Sequence, residues 1–275
     1  MNGTIAQITS LTCYGNAFIQ GYEMGDFFPT NSTCIFCDKV NFITFIKNFL
    51  GKWKEKEIAK TPDEWFKVIK NMGARGIRLS RTSQNAPKIT DRMSAGFVGG
   101  GGTWSMEVVL AGNRSQFWIP RWEVCNKDEP EKRIWHVTYG CISEKDTVQE
   151  QFTSLQVIES RLSQALSEIY SFSKNHNCGG FTQWFADAID TIDSEGKNLH
   201  GYHKDLAPDG YLSHNEKIIL DACQKSWVFG GMGSWNDLGF DGVDQVEYER
   251  VSEQLFNVVN EAIIVGVNSS YSKEK

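Results

Sequence analysis

Four groups of residues in this chain have types and spacings that could support chemistry. Cys34-x-x-Cys37 has the spacing of a redox pair or of half a zinc site. A structural zinc site needs four ligands, and no second Cys-x-x-Cys or Cys-x-x-His occurs, so the pair reads as ordinary semi-buried thiols. His200-x-x-His203, with His214 eleven residues on, could hold zinc with one open position. Gly201, Pro208 and Gly210 put these histidines in a loop, and no Glu stands between two helical histidines, so they read as exposed loop residues. The run Gly99 to Gly102 could turn successive amides toward a phosphate. It lacks the Gly-Lys-Ser/Thr of a P-loop and is followed by strand-like residues, so it reads as a hairpin turn. The segment Arg114 to Trp122 interleaves cations with aromatic rings, as base-stacking surfaces do. Together Gly99, Gly100, Gly101, Arg114, Arg121 and His136 define one functional reading, an enzyme or binding protein for a nucleotide or other phosphorylated small molecule. In it the arginine forks hold phosphate and the histidine moves a proton. No Gly-x-Ser-x-Gly elbow occurs, and the sequence assigns no catalytic residue, metal or cofactor.

Composition narrows the classes. The chain has 275 residues, a formal net charge of −6 and seven cysteines. The mild acidity gives no global reason to bind nucleic acid. No run approaches 18 apolar residues, and Met1 to Leu11 carry no Lys or Arg, so neither a spanning helix nor a signal peptide is expected. An odd number of irregularly spaced cysteines in a chain this long fits reduced thiols, hence a cytoplasmic location.

The elements that must position these residues change character near residue 145. Thr4 to Ile19, with Ile5, Ile8, Leu11 and Cys13 among Thr and Ser, favour strand, and Cys34 to Leu50 form a second apolar stretch. Thr61-Pro62-Asp63-Glu64 is a helix start with a cap and a proline at the first helical position, and Gly73 is its stop. Candidate strands come next at Gly76–Arg81, Ser94–Val98, Trp104–Leu110, Gln116–Trp122 and Arg133–Cys141. Beyond Glu144 the apolar period becomes helical: Phe152 to Phe172, Phe181 to Ile192, a capping box at Ser213 and Glu216, and a last helix from about Asp244 to Val265. The fold class is α+β, an N-terminal antiparallel sheet-rich part followed by a C-terminal helical part. Residues 1–145 are sheet-rich with one helix near 62–72, and residues 146–275 are helical; the two can equally pack as a single domain.

The most distinctive string is Gly230-Gly-Met-Gly-Ser-Trp-Asn-Asp237, after a predicted helix. Gly230 and Gly231 can stop that helix in left-handed geometry, and Ser234 can cap the next turn. Alternatively the string forms an amide nest beside Asn236 and Asp237 that binds an anion or a partner's polar group. It resembles a Gly-Gly-Met-Gly-Ser-aromatic-Asn-Asp string of small, largely helical bacterial proteins of the immunity-protein or antitoxin kind. This chain departs from them in the long helix after Asp237 and in the sheet-rich region of about 145 residues before the helices. The resemblance implies protein–protein recognition rather than turnover and carries over no catalytic residue. The favoured expectation is therefore a cytosolic interaction factor of immunity, defence or counter-defence type that masks a partner protein. Gly231, Met232, Ser234, Trp235, Asn236 and Asp237 are its contact residues, and self-association is compatible with it. An acidic balance suits a basic partner, although −6 spread over the whole length is diffuse.

Overall fold

The first element departs from expectation. In the computed structural model, which describes residues 1–47, 51–84, 89–146 and 153–271, Gly3–Gln20 is a helix, α1, and not a strand. Asn2 caps it by accepting from the Ile5 amide at 3.0 Å, and Gly21 ends it in the left-handed region at φ 83°. Its period is hidden because the helix is buried on every side. Gln7, Thr9, Ser10 and Thr12 are as inaccessible as Ile8 and Leu11, so no polar stripe marks a solvent face.

After a 3-10 turn at Ser32–Cys34 come β1 (Cys37–Lys47), β2 (Trp53–Ala59) and α2 (Pro62–Asn71). Thr61 caps α2 through the Glu64 amide at 3.3 Å, and the Glu64 carboxylate returns to the Lys60 amide at 2.7 Å, one residue ahead of the cap. Gly73, at φ 81°, turns the chain into β3 (Ala74–Thr82). Residues 94–98 do not form a strand. Asp91–Ser94 make a single helical turn, α3, capped by Thr90, and the glycines lead from it to β4 (Thr103–Leu110) as a helix-to-strand loop, not a hairpin. β5 (Arg114–Val124) and β6 (Trp135–Asp146) complete the sheet, and α4 (Leu155–Asn175), α5 (Gly180–Asp193), α6 (His214–Lys225) and α7 (Gly242–Asn268) come after it. Leu50 and Phe152 lie outside the described residues.

The six strands run in the order β2-β1-β6-β5-β4-β3. All neighbours are antiparallel except β1 and β6: β4, β5 and β6 form the antiparallel run expected, and the parallel β1–β6 pair makes the sheet as a whole mixed. β6 inserts between β1 and β5, a pairing across about 90 residues of chain that hairpin signals cannot announce. One sheet face is filled by Phe42, Trp65, Trp118 and Tyr139, with Phe42 stacked on Trp65 at 4.5 Å and on Tyr139 at 5.2 Å between ring centroids.

Two asparagines join the helices to the sheet. β3 is an edge strand whose outward backbone groups need partners. Asn16 of α1 accepts from the Ile77 amide at 2.6 Å and donates to the Ile77 carbonyl at 2.8 Å. Asn268 of α7 does the same for Leu79, at 2.7 and 2.8 Å. The side-chain amides thus stand where another strand would pair. Ile77 and Leu79 on β3, Ile8 on α1, and Val259 and Ile263 on α7 belong to one continuous core, so the sheet-rich and helical stretches share a single interior.

Candidate functional site

The Gly230–Asp237 string is a knot whose parts mostly face inward. α6 ends at Lys225, before the glycines, and the left-handed residue is Gly233 at φ 83°, not Gly230 or Gly231. Ser234 caps the 3-10 turn Trp235–Asp237 and donates to the Gly230 carbonyl at 3.0 Å. The Trp235 ring is wholly buried among Phe181, Phe185 and Tyr248, and its indole N–H donates to Ser252 at 2.6 Å. Asp237 accepts from the Gly233 amide and closes the loop on itself. Asn236 makes a two-way bond with α3: it accepts from the Arg92 guanidinium and donates to the Arg92 carbonyl, both at 2.9 Å.

Arg92 holds this junction. It is 2% exposed and also meets Glu249 and Glu253 of α7, so a buried cation is matched by two carboxylates and an amide oxygen. Beside it Gly96 lies flat on the knot. A Cβ there would sit 2.2 Å from the Gly230 carbonyl oxygen, so no side chain fits between the loops. Two surface loops are therefore locked together. What they present outward is apolar: Phe97 and Val98 are 72% and 73% exposed, Met93 is half exposed and Met232 is fully exposed. Of the six expected contact residues Met232 projects freely, Trp235 belongs to the core, and Ser234, Asn236 and Asp237 are engaged within the knot; Gly231 backs the Gly96 contact.

The knot's surroundings are acidic. Between Gly231 and Glu253 the chain has six carboxylates, Asp237, Asp241, Asp244, Glu247, Glu249 and Glu253, against the single cation Arg250. Val243 and Val246, on the first turns of α7, are exposed among them. Glu249 and Glu253 are taken up by the buried Arg92 and Glu247 by Arg250, which leaves Asp237, Asp241 and Asp244 outside an arginine pair.

Compared with protein-family models, curated proteins and solved structures, the chain finds no match.

The phosphate-site residues are only partly brought together. Gly99, Gly100 and Gly102 line a groove of about 430 Å³ with Arg121, Trp104, Trp122 and the start of α1. Two of the loop amides are already used, since Gly100 donates to Phe97 and Gly101 to the Ser94 hydroxyl, each at 3.0 Å. Arg121 is bound by Glu55 at 2.8 Å and Glu123 at 3.0 Å; its hydrogen bond holds the Glu55 carboxyl below its ordinary range, and the two carboxylates hold the guanidinium charged. An incoming phosphate would have to displace both. Arg114 is at the other end of β5, paired with Glu144 at 2.7 Å, and His136 faces Asp38. Neither lines the groove.

The remaining motifs are also placed. Cys34 and Cys37 are buried together against the Gln7 amide, which lies 3.6 and 3.5 Å from their sulfurs and accepts from Tyr139 at 3.0 Å. The hydrogen bond between the thiols lowers Cys37 and, with burial, raises Cys34. The loop histidines are dispersed, His214 bonding to the Glu195 carbonyl and His203 to Ser32. Ser32, His203 and Asp205 do form a contact that spacing could not show. There the hydroxyl stands between ring and carboxylate, and its one proton goes to Asp205. A nucleophilic triad needs the imidazole in the middle, so this group braces the loop.

Proposed function

We propose that this protein binds and masks a partner protein, and that the locked pair of loops is its contact surface. The observation that carries this is the exposure of Phe97, Val98 and Met232 on a frame fixed by the Gly96 contact and by Arg92. Large apolar side chains held out to water on a rigid support are the usual anchors of an interface, and rigidity reduces the ordering cost of binding. Asp237, Asp241 and Asp244, the carboxylates of this segment that Arg92 and Arg250 do not take up, favour a basic partner surface by steering it and by repelling acidic competitors. This suits a role of immunity, defence or counter-defence type, in which a factor covers a cationic, nucleic-acid-handling face, and it accords with the family resemblance of the Gly230–Asp237 string. Seven unpaired thiols favour the cytoplasm as its location. Among the described residues no helix is long and apolar enough to cross a membrane.

The test is affinity capture from the native host with the wild-type chain and with a Phe97→Ser, Met232→Ser double variant. Both side chains are outside the core, so the variant keeps its fold. A basic protein retained in stoichiometric amount by the wild type and lost from the variant supports the proposal. Equal retention by both, or retention of nothing by the wild type, refutes it.

A further inference from the structure

A second set of residues, at the ends of β1, β5 and β6, carries donors that the proposed interaction surface does not use. Asp38, Cys125 and His136 come from three neighbouring strand ends: the start of β1, the residue just past β5 and the start of β6. One carboxylate oxygen, the thiol sulfur and one ring nitrogen lie within 4.8 Å of one another, the one such group of metal-binding types among the described residues.

Each donor is held in place by the backbone. The pairing of β1 with β6 slips between Cys37 and Lys39, and the extra residue, Asp38, places its carboxylate 2.7 Å from His136 Nε2. Cys125 continues the β5–β6 ladder by donating its amide to the Ile134 carbonyl at 2.9 Å, and its thiol donates to the same carbonyl at 3.2 Å, a bond that the metal replaces. All three side chains reach solvent, so a metal can enter and an open coordination position would face outward.

We propose that Asp38, Cys125 and His136 bind a divalent transition metal of the zinc class. Thiolate, imidazole and carboxylate are the donors such an ion accepts, and magnesium or calcium would not select a set containing sulfur and nitrogen. Ligands at zinc-like bond lengths stand about 3.3–3.8 Å apart in a tetrahedron, so the three donors need shifts of about 1 Å or less to close on an ion. Asp38 and His136, now hydrogen-bonded to each other, separate slightly as the ion enters between them. Binding expels the thiol proton, so it strengthens as pH rises. Three protein ligands leave the fourth position to water or to a donor from another molecule.

The probe is Co²⁺, titrated into the metal-free full chain and followed by absorption. One equivalent should bring up a thiolate-to-cobalt charge-transfer band that Zn²⁺ abolishes. Cys125→Ser should remove the band, and Asp38→Asn and His136→Gln should each weaken binding by about tenfold or more. Cys178→Ser, which changes a partly exposed thiol elsewhere, should leave it intact. In parallel, Zn²⁺ should protect Cys125 from alkylation in the wild type and lose that protection in Asp38→Asn. No band, a band that survives Cys125→Ser, or binding indifferent to both Asp38→Asn and His136→Gln would overturn the proposal. The three side chains are at the surface, so circular dichroism of the variants should match the wild type.

Discussion

If the two loops are locked by direct backbone contact, one added methyl group at Gly96 should loosen them. An alanine Cβ there would lie 2.2 Å from the Gly230 carbonyl oxygen, 2.3 Å from its carbon and 2.5 Å from the Gly231 nitrogen. These are backbone atoms, so relief requires one loop to move by about 1 Å against the Asn236–Arg92 bonds. Overpacking of this kind costs about 1–3 kcal/mol, and weakening those two bonds adds about 1 kcal/mol. Alanine's smaller unfolded-state entropy returns roughly 0.4–1 kcal/mol, leaving a net loss of about 2–3 kcal/mol. With a urea slope of about 3 kcal/mol/M for a chain of this size, the unfolding midpoint should fall by roughly 0.7–1 M at unchanged slope. Gly239→Ala is the control: its Cβ would meet nothing within 4 Å. Its midpoint should stay at the wild-type value or rise slightly. A Gly96→Ala midpoint indistinguishable from that of Gly239→Ala would refute the locked-loop geometry. The same variant should also weaken partner binding, because it moves Phe97 relative to Met232 without altering either side chain.

Other expectations arise from the same contacts. Asn16→Ala strands the buried amide and carbonyl of Ile77 and should cost about 2–4 kcal/mol, with hydrogen exchange of the Ile77 amide accelerating by a matching factor; unchanged exchange would contradict the clamp. His203 is held neutral, its pKa pushed down to about 4 chiefly by burial, so the unfolded chain takes up the proton first as pH falls through about 6.5. Its contribution to stability is fully present above that pH and is lost toward pH 4. Discounted for its partial exposure to solvent, the loss should be about 1–2 kcal/mol, read as the difference in urea midpoint between wild type and His203→Gln across that range. A flat difference would contradict it. Complex formation with the proposed basic partner should weaken about tenfold between roughly 0.05 and 0.5 M salt, and a salt-independent affinity measured by calorimetry would remove the acidic segment from the proposed interface.

The parts legible in the sequence are those with local causes. The cap and proline at Thr61–Pro62, the Ser213–Glu216 capping box and the amphipathic stripes of α4 and α5 are each written within a few residues, and each forms as expected. α1 reads as a strand because total burial removes the polar face that reveals a helical period, and its Thr and Ile residues also favour strands. The parallel β1–β6 pair depends on a contact far away in sequence, and the single turn α3, though capped locally by Thr90, is tied down by the distant Asn236 and Glu249. The candidate surface is visible in the sequence only as an unusual string. Which of its side chains point outward depends on Arg92 and Gly96, more than 130 residues away, so by sequence Trp235 looks as available as Met232. The acidic segment can be counted, but the bonds of Arg92 to Glu249 and Glu253 and of Trp235 to Ser252 are what hold it against the knot. The Asp38–Cys125–His136 group leaves no motif, since its members join only through strand order and a bulge.

The most direct measurement is site-specific photo-crosslinking in the native host, with the photoreactive residue placed at Met232 and, separately, at the exposed Tyr202 on the 199–212 loop. A crosslink from position 232 to one basic protein, absent from position 202 and suppressed by Gly96→Ala, is the result expected of a partner-masking surface built on the locked loops. Crosslinks that are equal from the two positions, or none from position 232, would contradict it.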